Sequence, residues 1–328
     1  MEKVTVLGLG SMAAALTILL HNNGHSVTMW GRPEEAARVG AARRSDFMPG
    51  VKLPDGVIVT ADIREAAEPG VIVFAVPSGA VREAAEKFRP YLTERHLLIN
   101  AAKGIEEGSL KRLSEVLRGA APMCAAAVLM GPGHAEEIAV SLPTTYVAAS
   151  GDMAVSRRVQ DIFMSPVFRV YTNSDLIGVE MGGAVKNVIA LAAGISDGLG
   201  FGDNAKAALV TRGLNEISRL GVAMGADALT FAGLSGVGDL IVTCTSMHSR
   251  NRRCGILLGR GKPLDEALAE VKAVVEGAYA AKSALALARK YSVEMPIVEG
   301  VNEILFNGKP AKQVVVDLMT RDKKTETI

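Results

Sequence analysis

Lys186 lies in the run Glu180-Met-Gly-Gly-Ala-Val-Lys186-Asn187-Val-Ile-Ala, a helical pattern otherwise apolar for three turns. Desolvating an ammonium is costly, so a lysine in such surroundings either snorkels to the surface or has a task. Lost solvation favours the neutral amine, which suits general acid/base work. Gly233-Leu-Ser-Gly-Val-Gly-Asp239 is a glycine-rich connection ending in a carboxylate that could orient an ammonium or a hydroxyl. Ser249-Arg250-Asn251-Arg252-Arg253 opens a further helix, with Ser249 a good N-cap. Three arginines and an asparagine at a helix N-terminus make an anion site; the bland alternative is a solvated basic turn.

Near the start, Val4-Thr-Val-Leu-Gly8-Leu-Gly10-Ser11-Met12-Ala13 is a strand, then G-x-G-x-x-A, then a helix. Gly8 permits the tight turn, Gly10 keeps a Cβ out of the path of a pyrophosphate, and Ala13 is small enough for helix–strand packing. Helix amides would then point at the phosphates, so the turn reads as dinucleotide-binding rather than as a plain βα turn. At the tip of the second strand stands Arg32, in Met29-Trp-Gly-Arg32-Pro33, where an NAD site usually has an acid. A guanidinium pairs well with a 2′-phosphate, so NADP(H) is expected to be preferred, with NAD(H) possible. Two more segments follow strands and so sit where open α/β sheets bind ligands: Asn100-Ala-Ala-Lys103-Gly104 and Met130-Gly131-Pro-Gly133-His134-Ala135.

These residues need a particular frame. Short apolar runs at Val4–Leu7, Ser26–Trp30, Val57–Thr60, Val71–Val76, Leu97–Asn100, Ala126–Met130 and Thr145–Ala149 read as strands. They alternate with helical stretches such as Ala13–Asn22, Arg82–Phe88 and Leu110–Leu117. That order predicts an α/β Rossmann-like domain with a mostly parallel, doubly wound sheet. After about Tyr171 the pattern turns all-helical: Leu176–Ser196, Asn204–Met224, Ala226–Phe231, Arg250–Gly259, Leu264–Val271, Ala278–Tyr291 and Met295–Phe306. The expected domains are 1–174 for the dinucleotide and 175–328 for the substrate and catalysis, with ligands in the crevice between them.

With 36 Lys plus Arg against 35 Asp plus Glu, the net charge of +1 and the lack of a basic block argue against a nucleic-acid binder. Hydrophobic residues at 49% and charged residues at 22% exclude large-scale disorder. Cys124, Cys244 and Cys254 are an odd number without a CxxC pair, as expected of reduced thiols in the cytoplasm. The five histidines, His21, His25, His96, His134 and His248, have no metal-ligand spacing, and no metal is expected. The apolar stretches Val4–Leu20 and Gly119–Ala135 are too broken by Gly, Pro or polar residues to span a bilayer, and Glu2 beside Lys3 and the Gly-x-Gly turn in the apolar core argue against a signal peptide. Arg321–Ile328 reads as a solvated, charged tail.

In this order and spacing the segments resemble the bacterial-type NAD(P)-dependent glycerol-3-phosphate dehydrogenases, from Val4 to about Lys324. The segments are Gly8–Leu16, Trp30–Arg32, Phe47–Pro54, Ala101–Ile105, Gly131–Glu136, Glu180–Gly194, Leu234–Thr245, Ser249–Gly255, Val274–Gly277 and Met295–Leu305. The resemblance implies reversible reduction of dihydroxyacetone phosphate to sn-glycerol 3-phosphate for phospholipid synthesis, by a cytoplasmic homodimer. It implies Lys186 as catalytic proton donor and acceptor, with Lys103, Gly131, Gly133, Asp239, Ser249, Arg250 and Asn251 at the substrate. Gly8, Gly10, Ser11, Met12, Arg32, Ala135, Val274 and Glu276 would serve the cofactor, joined by Lys103 and Arg250. A second positive charge at Lys103 would also favour the neutral amine of Lys186. Four positions depart from the family pattern: Met12 replaces an aromatic residue, Gly133-His134 a Ser-Phe pair, and Pro33 removes a polar contact to a 2′-phosphate. The alternatives are a β-hydroxyacid dehydrogenase of similar architecture, from which Asp239 and Ser249–Asn251 would distinguish it, or a non-catalytic dinucleotide sensor.

Overall fold

Val71-Ile-Val-Phe74 is buried at all four residues, and its side chains alternate between two cores. Val71 and Val73 pack with Val4, Val6, Leu97 and Ile99, while Ile72 and Phe74 pack with Leu7 and Leu98. A strand that is apolar on both faces needs cover on both, and helices supply it. The computed structural model, which describes residues 1–68, 70–323 and 325–326, contains eight strands in one sheet. Lys324, Thr327 and Ile328 of the charged tail lie outside the described residues.

The strands are β1 (Lys3–Leu7), β2 (Ser26–Trp30), β3 (Ile58–Thr60), β4 (Val71–Phe74), β5 (Leu97–Asn100), β6 (Ala125–Met130), β7 (Thr144–Ala149) and β8 (Phe168–Asn173). Their order is β3-β2-β1-β4-β5-β6-β7-β8, and every neighbouring pair is parallel except β6 with β7. The strand order reverses at β1, between β2 and β4, which is where such sheets open a ligand crevice. The helices of this unit are α1 (Ser11–Asn22), α2 (Pro33–Ala42), α3 (Ile63–Ala66), α4 (Val81–Phe88), α5 (Leu113–Ala120), α6 (Ala135–Ala139) and α7 (Met153–Phe163). Leu16, Ile138 and Phe163 cover one face of the sheet, and Phe88 and Leu117 the other.

The sequence pattern did not reveal β8, an edge strand whose Phe168 and Val170 are buried while Arg169 and Tyr171 face out. It placed α5 three residues too early. Leu110 takes a left-handed φ of 57°, and a bridge joins Ile105 to Arg112. The helix therefore starts only at Leu113, where Glu115 reaches back to the Arg112 amide at 2.9 Å.

By internal contacts the chain divides into residues 1–106 with 111–180, and residues 107–110 with 181–328. The helices from the boundary onward are α8 (Leu176–Gly198), α9 (Asp203–Ala223), α10 (Asp239–Thr245), α11 (Arg250–Gly259), α12 (Leu264–Val271), α13 (Glu276–Lys290), α14 (Pro296–Phe306) and α15 (Ala311–Met319). Among the described residues α8 alone is long and apolar enough to cross a membrane, yet 94% of its apolar window is buried in the protein, as in a core helix.

In the second unit α8 and α11 cross with their backbones in contact. A Cβ on Gly194 would lie 2.1 Å from Arg252 O, one on Gly255 2.1 Å from Leu191 O, and one on Gly259 2.3 Å from Ile195 O. Only glycine at these positions permits the approach.

Candidate active site

The first unit offers a site for an anion at the end of β1. Gly8 has a φ of +116°, and a Cβ there would meet Ala75 O at 2.8 Å. Its amide donates to Trp30 O at 2.8 Å, and the Ala75 amide to Leu7 O at 3.0 Å, so the turn is wedged between β2 and β4. A Cβ on Gly10 would meet nothing within 4 Å, leaving open space beside the backbone. Gly10 is the N-cap of α1, with no capping side chain and no acid in the first turn. An open cradle on an uncapped helix N-terminus fits a dinucleotide pyrophosphate. Ser11 is buried, Met12 half-buried, and Ala13 fully buried in the core beneath.

Arg32 caps the start of α2 with its side chain 77% exposed. Its guanidinium is forked onto Glu35, Nη2 to Oε1 at 2.5 Å and Nε to Oε2 at 3.2 Å. Arg32 is thus the charged residue at the strand tip, and the acid that pairs with it, Glu35, belongs to the first turn of α2.

Lys103 follows β5 and donates from Nζ to Gly131 O at 2.9 Å, bringing together two segments that the sequence had placed at strand ends. A Cβ on Gly131 would strike Thr145 O at 2.8 Å, and one on Gly133 would lie 2.6 Å from the Tyr146 ring. Tyr146 thus occupies the room that a serine at 133 would need. Ala135 is buried as the first residue of α6. At the end of this unit Glu180 is buried and accepts from the Ser114 amide at 2.9 Å, from Ser114 Oγ and from Arg112 Nη1 at 2.7 Å. Burial pushes its carboxyl above the usual range, and Arg112 opposes the shift.

In the second unit Lys186 is 4% exposed and does not snorkel. Its Nζ is ion-paired with Asp239 Oδ1 and donates to Thr243 Oγ1 at 2.6 Å. Thr243 in turn donates to Asp239 O at 2.6 Å. Gly182 lets this happen: a Cβ there would be 2.4 Å from Ser235 O, so the Leu234–Gly238 π-turn packs directly on α8 and delivers Asp239 to Lys186. The glycine-rich stretch read as a connection is therefore a π-turn running straight into α10. Thr243 was missed from sequence, although Asp239 and Thr243 stand at the i, i+4 spacing of one helix face.

Ser249 caps α11 as expected, its Oγ accepting from the Arg252 amide at 3.2 Å. Asn251 is buried; its Nδ2 donates to Asn187 Oδ1 and its Oδ1 accepts from the Gly277 amide, both at 2.9 Å. That bond ties the start of α11 to the start of α13, where Glu276 is the first residue and Val274, 42% exposed, lies just before it. The three-arginine anion site needs correction. Arg252 is committed to Asp197, whereas the side chain of Arg250 makes no hydrogen bond or ion pair among the described residues.

Burial pushes the Cys244 thiol up to about 12 and the Cys254 thiol up to about 11, so neither is a nucleophile near neutral pH. Among the described residues no group of three or more His, Cys, Asp or Glu is arranged to hold a metal ion.

Two family models match. NAD-dependent glycerol-3-phosphate dehydrogenase N-terminus covers residues 3–156, and NAD-dependent glycerol-3-phosphate dehydrogenase C-terminus covers residues 175–316. The chain is 52% identical over 329 residues to the glycerol-3-phosphate dehydrogenase [NAD(P)+] of Agathobacter rectalis, spanning 99% of this chain and 98% of the relative. It is 53% identical over 330 residues to the protein of the same name from Pelotomaculum thermopropionicum, spanning 99% and 95%. The crystal structure of glycerol-3-phosphate dehydrogenase from Coxiella burnetii superposes with a TM-score of 0.94 at 36% identity, over 98% of this chain and 99% of that one.

Proposed function

We propose a reaction for this chain, which belongs to the NAD-dependent glycerol-3-phosphate dehydrogenase family and is an NAD(P)-dependent oxidoreductase: the reversible reduction of dihydroxyacetone phosphate to sn-glycerol 3-phosphate. The observation that carries the chemistry is the buried ammonium of Lys186, held between the Asp239 carboxylate and the Thr243 hydroxyl. When bound, the reduced nicotinamide supplies a hydride to the substrate carbonyl carbon. Negative charge develops on the carbonyl oxygen, and Lys186 stabilises it and gives it a proton. One hydride and one proton are consumed per turnover, and in reverse the same amine takes the hydroxyl proton. Asp239 keeps the ammonium aimed, and Thr243 accepts from it while donating to the Asp239 carbonyl, so Nζ is fixed in one direction.

We assign the phosphate dianion to the N-terminus of α11, which begins at Arg250; the Arg250 side chain has no hydrogen bond or ion pair among the described residues, and Ser249 and Asn251 flank it in sequence. Lys103, Gly131 and Gly133 are assigned to the substrate by resemblance, as are Ser11, Met12, Arg32, Ala135, Val274 and Glu276 to the cofactor. The guanidinium at the β2 tip favours NADPH over NADH. The same reading makes the enzyme a cytoplasmic homodimer that supplies glycerophospholipid synthesis; its three cysteines are free thiols, which a reducing compartment keeps reduced.

The test is loss of reduced-nicotinamide absorbance with dihydroxyacetone phosphate, run in parallel with NADPH and NADH. Turnover with both and a higher kcat/KM for NADPH is expected. Demonstrated cofactor binding without turnover would refute the substrate assignment.

A further inference from the structure

Three helices of the second unit meet at one carboxylate, and a fourth is tied to it through Arg252. Asp197, near the end of α8, accepts on Oδ2 from Arg252 Nε and Nη2, both at 2.8 Å. Its Oδ1 accepts from Lys206 Nζ, in the first turns of α9, at 2.7 Å. Arg252 also donates from Nη1 to Thr245 O at 2.7 Å, the last residue of α10. The three charged side chains are only 13–17% exposed, and the guanidinium fork is used on two sides.

The position of this knot gives it a consequence for the substrate. α10 begins with Asp239 and carries Thr243, so it is the helix that sets the aim of Lys186. α11 begins at Arg250, so Ser246–Ser249 alone separate the end of one helix from the start of the other. The glycine crossing fixes α11 against α8, but the bond from Arg252 to Thr245 O fixes α10 against α11. Asp197 holds the guanidinium in the orientation that makes this bond. It also occupies Arg252 and Lys206, so neither of those cations is open to an incoming anion.

We propose that Asp197 is a positioning residue for the substrate: acting through Arg252, it sets the span between the N-terminus of α11 and the Lys186–Asp239–Thr243 group. This span is the carbonyl-to-phosphate length the enzyme accepts. The proposal rests on reading the start of α11 as the phosphate site. Asp197 touches no reacting atom; it makes the remote phosphate usable for orienting the carbonyl.

The experiment compares the wild type with Asp197→Asn, Arg252→Lys, the double variant and Arg250→Ala. It reads the KM for dihydroxyacetone phosphate at saturating NADPH, the KM for NADPH, the calorimetric Kd of glycerol 3-phosphate, and the thermal midpoint. Each single change at the knot is expected to raise the substrate KM and the glycerol 3-phosphate Kd about tenfold, while the KM for NADPH moves less than about threefold. The double variant is expected to stay within about twofold of the weaker single, because the two residues act as one unit. Unchanged substrate values, additive effects, or an equal rise in the NADPH KM would overturn the proposal, as would failure of both singles to fold. Arg250→Ala separates the two layers. If it leaves the glycerol 3-phosphate Kd unchanged, the phosphate reading fails and takes this proposal with it. If it weakens binding while the Asp197 and Arg252 variants do not, only the role of Asp197 fails.

Discussion

Between Leu7 and Met12 the first unit builds its open glycine turn from consecutive residues, whereas the second brings together Lys186 and Asp239, which stand 53 positions apart in the chain. Gly10 in the first and three glycines in the second serve opposite purposes. At Gly10 the missing Cβ leaves space that no protein atom fills, open to the pyrophosphate that the proposed function puts there. At Gly194, Gly255 and Gly182 the vacancy is filled by backbone from another helix or turn. Gly10 can therefore be altered with the fold intact, although Gly8 beside it cannot, while in the second unit the buried site group and the core are the same atoms.

The largest expected effect tests that identity. Lys186→Ala should lower kcat by about three orders of magnitude or more, because the group that meets the developing oxyanion is gone. The NADPH Kd, read by fluorescence titration, should be unchanged. Asp239 would be left buried without its partner, so the thermal midpoint should also fall, by the equivalent of about 3 kcal/mol. Near-normal turnover would remove Lys186 from its role, and lost turnover with full stability would separate site from core.

A pair of glycine substitutions probes the contrast directly. Gly255→Ala forces Cβ against Leu191 O, so the helices must part at a cost of about 3 kcal/mol. Gly10→Ala, with φ of −75° and open space ahead, should leave stability within about 0.5 kcal/mol. It should instead weaken NADPH binding about tenfold or more, since the new methyl stands where a pyrophosphate approaches. Calorimetry on both variants is the measurement, and the reverse pattern would erase the distinction.

The same contrast explains what could be read in advance. Gly8, Gly10 and Ala13 were legible because a turn, an approach and a packing contact within one βα unit leave a fixed spacing. Ser249 was legible because a cap is local. Lys186 stood out because a charge interrupts an apolar helix. Thr243 and Asp197 did not, because their meaning lies in partners on other helices. Glu35 escaped because α2 folds it back onto Arg32. β8 escaped because an edge strand with Arg169 and Tyr171 facing out lacks the apolar run that marks the central strands.

Glu216 gives the comparison a pH axis. On α9 it accepts from the amides of Ile297 and Val298, at 2.8 and 3.3 Å, at the start of α14. Burial pushes its carboxyl up to about 7, against the pull of those amides. A raised carboxyl means that the folded state holds a proton the unfolded chain has released. Its contribution is complete below about pH 4.5 and is lost as pH rises to 7, a change of about 3 kcal/mol. Glu216→Gln keeps one acceptor and cannot ionise. Denaturant titrations from pH 4.5 to 8 should show its stability gaining on the wild type as pH rises. Parallel curves would mean that Glu216 titrates normally.

The smallest effect is expected where the protein is most exposed. Arg32 shares its fork with Glu35 at the surface, and an exposed pair of this kind holds weakly. A 2′-phosphate brings two negative charges and more acceptor oxygens to the same fork, so it should displace the carboxylate. Arg32→Ala should then raise the KM for NADPH about tenfold and leave that for NADH within about twofold. Glu35→Gln should act the other way, lowering the NADPH KM about two- to threefold by removing the competitor, with the thermal midpoint unmoved. Opposite signs from two residues joined by one ion pair would be hard to obtain unless the pair and the phosphate compete. Equal changes for both cofactors would make Arg32 a solvated loop residue, and the first unit's selectivity would then have to come from elsewhere on the β2 tip.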